Sequence, residues 1–163
     1  MPQPMTRRRA ARFGAIQALF QTELSGSPVE TVIAEFQAHR LADLLEPLEG
    51  GEPPLGVDRA WFAALTEGAW RRTPELDPLI EATLAPGWTL ARAGYLLRAC
   101  LRAGAFELAA RPEVPIKVVI NEYVELAHAF LSRDEAGFIN AVLDRLAGQL
   151  RPDDGPGPAP ACA

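Results

Sequence analysis

Four arginines stand close together near the N-terminus, in the run TRRRAAR at residues 6–12. Guanidinium groups present planar sets of donors that match phosphate oxygens, so this run suggests binding to a nucleic-acid backbone. At about 100° per residue, Arg8, Arg9 and Arg12 fall beside the apolar stripe of a helix, which predicts one edge with three guanidiniums. Taken alone, the run is equally consistent with a solvated basic terminus.

A second candidate is the aromatic residue Phe138. It follows the run Ser132-Arg133-Asp134-Glu135, whose pattern predicts a capping box at the start of the last helix. Phe138 is offset by about 100° from Ile139 and therefore lies at the margin of that helix's apolar stripe. A partly exposed aromatic residue there suits stacking on a base of single-stranded RNA. Packing against a neighbouring helix is the commoner alternative for such a residue.

Side chains that support catalysis or metal binding are scarce. The two histidines, His39 and His128, have no partner at the spacing of a metal site or a catalytic triad. Cys100 lies in an apolar periodic stretch and Cys162 lies near the C-terminus, which argues against a disulfide framework. Most enzyme classes therefore lack their usual catalytic residues here, and we expect a cytoplasmic protein without metal or cofactor.

The elements that must position these residues are helices. Apolar residues recur at helical spacing along nearly the whole chain, which predicts an all-α fold of about seven helices. We expect one compact domain over residues 1–150. The predicted core stripe of the first helix consists of Phe13, Ile16, Phe20 and Leu24. Thr6 is the predicted N-cap of this helix.

Helix boundaries follow from capping and breaking residues. The run Ser27-Pro28-Val29-Glu30 predicts a capping box for the second helix, and residues 48–57 predict a loop rich in glycine and proline. Thr89 is the predicted start of a long helix that ends at Arg111-Pro112. Residues 151–163 are poor in apolar bulk and predict a disordered tail.

The charge is unevenly distributed. The 163-residue chain has a net charge of -5, which argues against a protein that coats nucleic acid indiscriminately. Residues 1–22 contain four arginines and no acidic residue, and residues 82–112 contain four arginines and one acidic residue. The basic excess is therefore confined to two stretches.

Two segments carry a resemblance to a known family. RRRAARFGAIQALFQTEL at residues 7–24 and PIKVVINEYVELAHAFLSRDEAGFINAVLDRLAGQL at residues 115–150 resemble the NusB family of transcription antitermination factors. The resemblance covers roughly residues 5–150. Its most specific part is the pattern P-x-K-V-x-I-N-E-x-x-E-L-A, followed by F-x-N-x-V-L-D.

The resemblance implies a small all-helical protein without catalytic activity. Members of the family bind the boxA element of nascent ribosomal RNA transcripts as a heterodimer with the ribosomal protein NusE. They join NusA, NusG and RNA polymerase in a larger complex. Contact with a membrane or with DNA is not expected.

The resemblance also implies roles for individual residues. RNA binding falls on Arg7, Arg8, Arg9, Arg12, Asp134 and Phe138. The contact with NusE falls on Phe20, at a position where relatives often have tyrosine. Gly137 occupies a position where lysine is frequent.

Two alternatives belong to other functional classes. A NusB-like helical domain also precedes the cofactor-binding domain of some ribosomal RNA cytosine methyltransferases, although this chain has no strand-rich, glycine-looped segment. A helical scaffold without any RNA role is the other alternative. That scaffold would tolerate glutamate at Arg8 and Arg12 without loss of binding.

Overall fold

The computed structural model describes residues 6–41 and 56–154. Within these residues the chain is helical and contains no strand, which confirms the predicted all-α fold. The α-helices are α1 (Arg7–Ser25), α2 (Val29–Glu35), α3 (Arg59–Arg71), α4 (Thr73–Thr83), α5 (Tyr95–Ala110), α6 (Ile116–Phe130) and α7 (Arg133–Leu150). A π-helical turn at Phe36–Arg40 continues α2, and 3-10 turns occur at Leu90–Arg92 and Pro152–Asp154. None of these helices is long and apolar enough to cross a membrane.

Helix α1 begins as predicted but buries a different face. The Thr6 hydroxyl accepts a hydrogen bond from the Arg9 backbone nitrogen at 3.0 Å, which confirms the N-cap. Of the predicted stripe only Ile16 is fully buried, and Leu24 is 58% exposed. The buried face consists mainly of small residues, because α1 packs closely against α3 and α5; it includes Ala11, Ala15, Ala18, Leu19 and Thr22.

Of the other predicted helix starts, two are wrong and one is confirmed. Helix α2 begins at Val29 with Pro28 at the N-cap position, so Ser27 lies one residue too early to cap it. Thr89 precedes only a 3-10 turn, and α5 begins at Tyr95 after Gly94. The capping box of α7 is present, with Ser132 and Glu135 bonded reciprocally at 3.1 Å.

Helix α5 lies at the centre of the fold and contacts α1, α3, α4, α6 and α7. Its residues from Ala99 to Leu108 are all buried. Two glycines permit the close approach of its neighbours. A Cβ atom on Gly68 of α3 would lie 2.1 Å from Cζ of Phe106, and one on Gly104 would lie 3.0 Å from the side chain of Leu143.

The predicted tail begins too early. Arg151 is buried and donates hydrogen bonds to four backbone carbonyls around the end of α5, those of Glu107, Leu108, Arg111 and Val114. A buried guanidinium that satisfies four carbonyls closes the C-terminal end of the domain. Residues 155–163, which include Cys162, and most of the predicted loop at 48–57 lie outside the described residues.

Candidate nucleic-acid interface

The first turn of α1 exposes two of the four predicted arginines. Arg7 and Arg8 are both exposed. Cζ of Arg8 lies 3.9 Å from the ring centroid of Trp61, within the range of a cation–π contact. The Arg7 carbonyl accepts a hydrogen bond from the backbone nitrogen of Asp58 at 3.1 Å, which ties the start of α1 to the start of α3.

Arg9 and Arg12 face the interior, so the prediction of one edge with three exposed guanidiniums is wrong. Their relative exposures are 7% and 3%. Arg9 Nε and Nη2 donate to the two carboxylate oxygens of Glu122 at 2.6 and 3.1 Å. This bidentate pair fixes the first turn of α1 against α6.

Arg12 belongs to a buried network with Glu107 and Tyr123. Arg12 Nη2 donates to Glu107 Oε2 at 2.6 Å, and the Tyr123 hydroxyl donates to Glu107 Oε1 at 2.9 Å. Burial alone would lower the pKa of Arg12, but hydrogen bonding to Glu107 and its charge outweigh burial, so the pKa is raised. Burial, followed by the Glu107 charge, raises the pKa of Tyr123 well above its usual value. The network joins α1, α5 and α6.

Sequence analysis missed a further arginine in this region. Arg111, directly after α5, places Cζ 4.6 Å from the ring centroid of Trp61. Its side chain is 35% exposed, and its ion pair with Glu113 is long, at 3.9 Å. Arg8 and Arg111 therefore converge on one indole ring from distant parts of the chain. The sequence offered only a weak sign, the position of Arg111 in the second basic stretch.

We call Arg7, Arg8 and Arg111 with Trp61 the arginine surface. Its cations are partly or fully exposed, while the neighbouring Arg9 and Arg12 are neutralised by the half-buried Glu122 and the buried Glu107. Guanidiniums held over an aromatic ring lose little side-chain entropy when they bind an anion. The arrangement is suited to contacts with phosphate.

The predicted residues on α7 form a separate region. Phe138 is half-buried, and its ring centroid lies 5.8 Å from that of Trp88. Asp134 is exposed in the first turn of α7. Phe138 therefore both packs and remains accessible, so the two interpretations considered above are compatible.

Phe20 lies in a third region, an apolar groove of about 370 Å³. Its ring meets Tyr95 edge-on at 6.4 Å between centroids. The groove is lined by Gln17, Phe20, Gln21, Leu24, Arg40, Leu96 and Phe130. Exposed apolar surface of this kind is typical of a contact with another protein.

Two of the four arginines in the second basic stretch are occupied by internal pairing. Glu23 accepts from Arg98 and Arg102 at 2.8 Å each, and Arg102 also pairs with Asp77 at 2.8 Å. These arginines join α5 to α1 and α4. They contribute to the fold and leave Arg92 and Arg111 as the accessible cations of the stretch.

Comparison with known proteins gives the family. The sequence profile of the NusB family matches residues 9–148. A transcription antitermination protein NusB of Bradyrhizobium sp. (strain ORS 278) is 46% identical over 148 residues, covering 91% of this chain and 86% of the relative. A protein of the same name from Allorhizobium ampelinum is 46% identical over 144 residues, covering 88% of both chains.

Solved structures agree with this result. T. maritima NusB superposes with a TM-score of 0.69 at 26% identity, covering 94% of this chain and 98% of that protein. Antitermination factor NusB, solved with NusE in complex with double-stranded RNA, has the same fold, with a TM-score of 0.69 at 22% identity over 86% of this chain and 96% of that one. The chain therefore belongs to the NusB family, whose members are transcription antitermination factors and not enzymes.

Proposed function

We propose that this protein binds boxA-type single-stranded RNA of nascent ribosomal RNA transcripts together with NusE, as an adaptor in transcription antitermination. The observation that carries the proposal is the convergence of Arg8 and Arg111 on Trp61, beside the exposed Arg7. Three accessible guanidiniums in one region bind the phosphates of the RNA backbone in this proposal. Family membership supplies the biological setting.

The arginine surface makes the phosphate contacts. With three or four such contacts on a single strand, the slope of log K against log salt is about -2 to -3. This electrostatic contribution is modest, and the net charge of -5 adds no general attraction. We therefore expect weak binding of RNA by the isolated protein.

Arg9 and Arg12 affect RNA binding indirectly, because their ion pairs hold the part of α1 that carries Arg7 and Arg8. Their guanidiniums are engaged by Glu122 and Glu107 and hold the first turn of α1 against α6 and α5. Arg7 and Arg8 lie on that same turn. A change at Arg12 would thus lower RNA affinity by moving α1, without removal of a direct phosphate contact.

Phe138 and Asp134 form the base-contacting part. A half-buried ring near a helix start offers an accessible face to a base, and an exposed carboxylate accepts hydrogen bonds from base amino groups. Arg151, at the C-terminal end of α7, donates to the Arg111 carbonyl at 2.7 Å, and Phe138 lies about 20 Å along α7 from that end. The arginine surface, which includes Arg111, and Phe138 are therefore separated along α7, and in this proposal an extended single strand of RNA contacts both.

NusE occupies the groove around Phe20 in this proposal. Leu24, Leu96 and Phe130 supply further apolar surface there, and Arg40 lies at its margin. A second RNA-binding protein held in this groove raises the affinity for RNA by effective concentration. The resulting RNA-bound heterodimer would join NusA, NusG and RNA polymerase.

Fluorescence anisotropy tests the proposal. A short boxA-like RNA and a scrambled RNA are titrated with the protein at two salt concentrations, with and without purified NusE. We expect preference for the boxA-like RNA, which NusE strengthens. Equal, weak binding of both RNAs that NusE does not change would favour the scaffold alternative.

Charge reversal locates the site. We expect Arg8→Glu to weaken binding by at least tenfold at low salt and to reduce the salt slope by about 0.7 or more. Arg71→Glu is the matched control, because Arg71 is an exposed arginine about 15 Å along α3 from Trp61. Equal effects of the two changes would contradict a localised arginine surface.

A further inference from the structure

Trp88 is an exposed aromatic residue to which neither the sequence patterns nor the family comparison assigned a role. Its relative exposure is 53%, whereas Trp61 is 7% exposed and Trp70 is partly buried. Tryptophan is a costly residue to leave in water because it exposes a large apolar surface. Trp88 lies on the connection between α4 and α5, and its packing there leaves more than half of it exposed to solvent.

The connection holds Trp88 in a defined position. The Trp88 backbone nitrogen donates to the carbonyl of Ala85 at 3.0 Å across a turn in which Gly87 adopts a φ of 88°. Arg92 Nη1 donates to the Gly87 carbonyl at 2.8 Å. The Leu90 backbone nitrogen, two residues after Trp88, donates to the carboxylate of Glu81 at 2.9 Å. The turn that carries the indole ring is thus held by hydrogen bonds in the free protein, so a ligand that binds there does not have to order its backbone.

Trp88 and Phe138 form one aromatic patch. Their centroids are 5.8 Å apart, and their planes are inclined at 41°. Because the rings are not parallel and Trp88 is half-exposed, the patch retains accessible ring surface that can stack on a base. Base–aromatic stacking accepts any base, since each base has a π face.

A cation lies beside the patch. Arg92 is exposed and shares a cavity of about 410 Å³ with Pro86, Gly87 and Trp88. Among the described residues, Arg92 has no carboxylate within ion-pair distance. An aromatic ring next to an uncompensated guanidinium matches a nucleotide, which offers a base and a phosphate together.

We propose that Trp88 stacks on a base of single-stranded RNA next to Phe138 and that Arg92 binds the adjoining phosphate. This inference rests on the proposed function. It extends the base-contacting part of the site from α7 to the connection between α4 and α5. The alternative occupant, a protein segment, would use the apolar ring but would not need the uncompensated cation.

Substitution of Trp88 tests the assignment by anisotropy with a boxA-like RNA. We expect Trp88→Ala to weaken RNA binding by about 5- to 100-fold, and Trp88→Phe to retain most of the affinity. Since stacking releases no counterions, Trp88→Ala leaves the salt slope unchanged, whereas Arg92→Gln lowers it by about 0.7. Leu79→Ala, at a leucine that is 37% exposed, is the control for loss of exposed apolar surface.

The outcomes separate this inference from the proposed function. If Arg8→Glu weakens RNA binding but Trp88→Ala does not, the Trp88 assignment is overturned and the proposed function stands. Loss of NusE binding by Trp88→Ala at unchanged RNA affinity would overturn it in favour of a protein occupant. If the wild-type protein binds no RNA, both fail. Unchanged thermal unfolding of Trp88→Ala establishes that the variant is folded.

Discussion

The four arginines of the N-terminal run have different roles because of their individual partners. Arg9 and Arg12 are neutralised by carboxylates 113 and 95 residues away in the chain, while Arg7 and Arg8 remain exposed. Removal of one partner from a buried pair leaves an uncompensated charge, which costs more than loss of a surface contact. The two inward arginines therefore govern the stability of the interface, and the outward ones govern its charge.

Tyr123 gives this buried network a measurable dependence on pH. Its pKa is raised in the folded state, first by burial and then by Glu107. The resulting stability is fully present below the unfolded-state pKa of about 10 and is lost as pH rises above it, because only the unfolded chain readily releases the proton. Tyr123→Phe should remove this loss. At neutral pH it should lower the free energy of unfolding by about 1.5 to 3 kcal/mol, through loss of the hydrogen bond to Glu107.

Urea unfolding at neutral pH and at about pH 10.5 measures the effect. The wild-type protein should lose more stability between the two pH values than Tyr123→Phe. Tyr95→Phe is the matched control, since Tyr95 is 43% exposed. An equal loss in the wild type and in Tyr123→Phe would show that Tyr123 does not control the alkaline transition.

At the scale of elements, close helix packing depends on single glycines. Gly68 lets α3 approach the ring of Phe106 on α5, where a Cβ atom would overlap that ring at 2.1 Å. Gly68→Ala should therefore lower the free energy of unfolding by about 1 to 3 kcal/mol through overpacking. Gly137→Ala, on a part of α7 with no atom within 4 Å of the added methyl, should raise it by about 0.5 to 1 kcal/mol.

Chemical denaturation compares the two alanine variants directly. The double variant Gly68→Ala with Phe106→Leu should recover part of the loss, because the smaller side chain makes room for the methyl group. If the double variant recovers no stability, and Gly68→Ala and Gly137→Ala are equally stable, a steric role for Gly68 is contradicted.

At the scale of the whole molecule, the groove around Phe20 should act separately from the two RNA-binding regions. The arginine surface lies at the start of α1, whereas the groove around Phe20 lies towards its end. Leu24 is 58% exposed at this groove. Leu24→Glu should weaken NusE binding by at least tenfold, because a charge would enter an apolar contact. RNA binding by the isolated protein should not change.

Calorimetric titration with NusE provides the measurement, and Leu79→Glu on α4 is the control. If both changes weaken NusE binding equally, the partner surface is not the groove around Phe20. If Leu24→Glu also weakens binding of RNA by the isolated protein, the two regions are not independent.

Local signals predicted the helices well. The Thr6 cap, the Ser132–Glu135 capping box and the helical periodicity of residues 116–150 depend on neighbours within four residues, so they are readable from the chain alone. The helix starts predicted at Ser27 and Thr89 are wrong because residues that favour capping also occur in turns. The actual start of a helix also depends on how the next helix packs.

The all-helical class, the helix order and the family pattern follow from the sequence, since periodicity and capping act over short distances. Tertiary structure decided which side chains of those helices reach solvent. Arg12 is buried because Glu107 meets it there, Arg111 joins Arg8 at Trp61, and Trp88 stands beside Phe138. These placements depend on contacts between residues that are distant in the chain, and the spacing of residues within one helix does not encode such contacts.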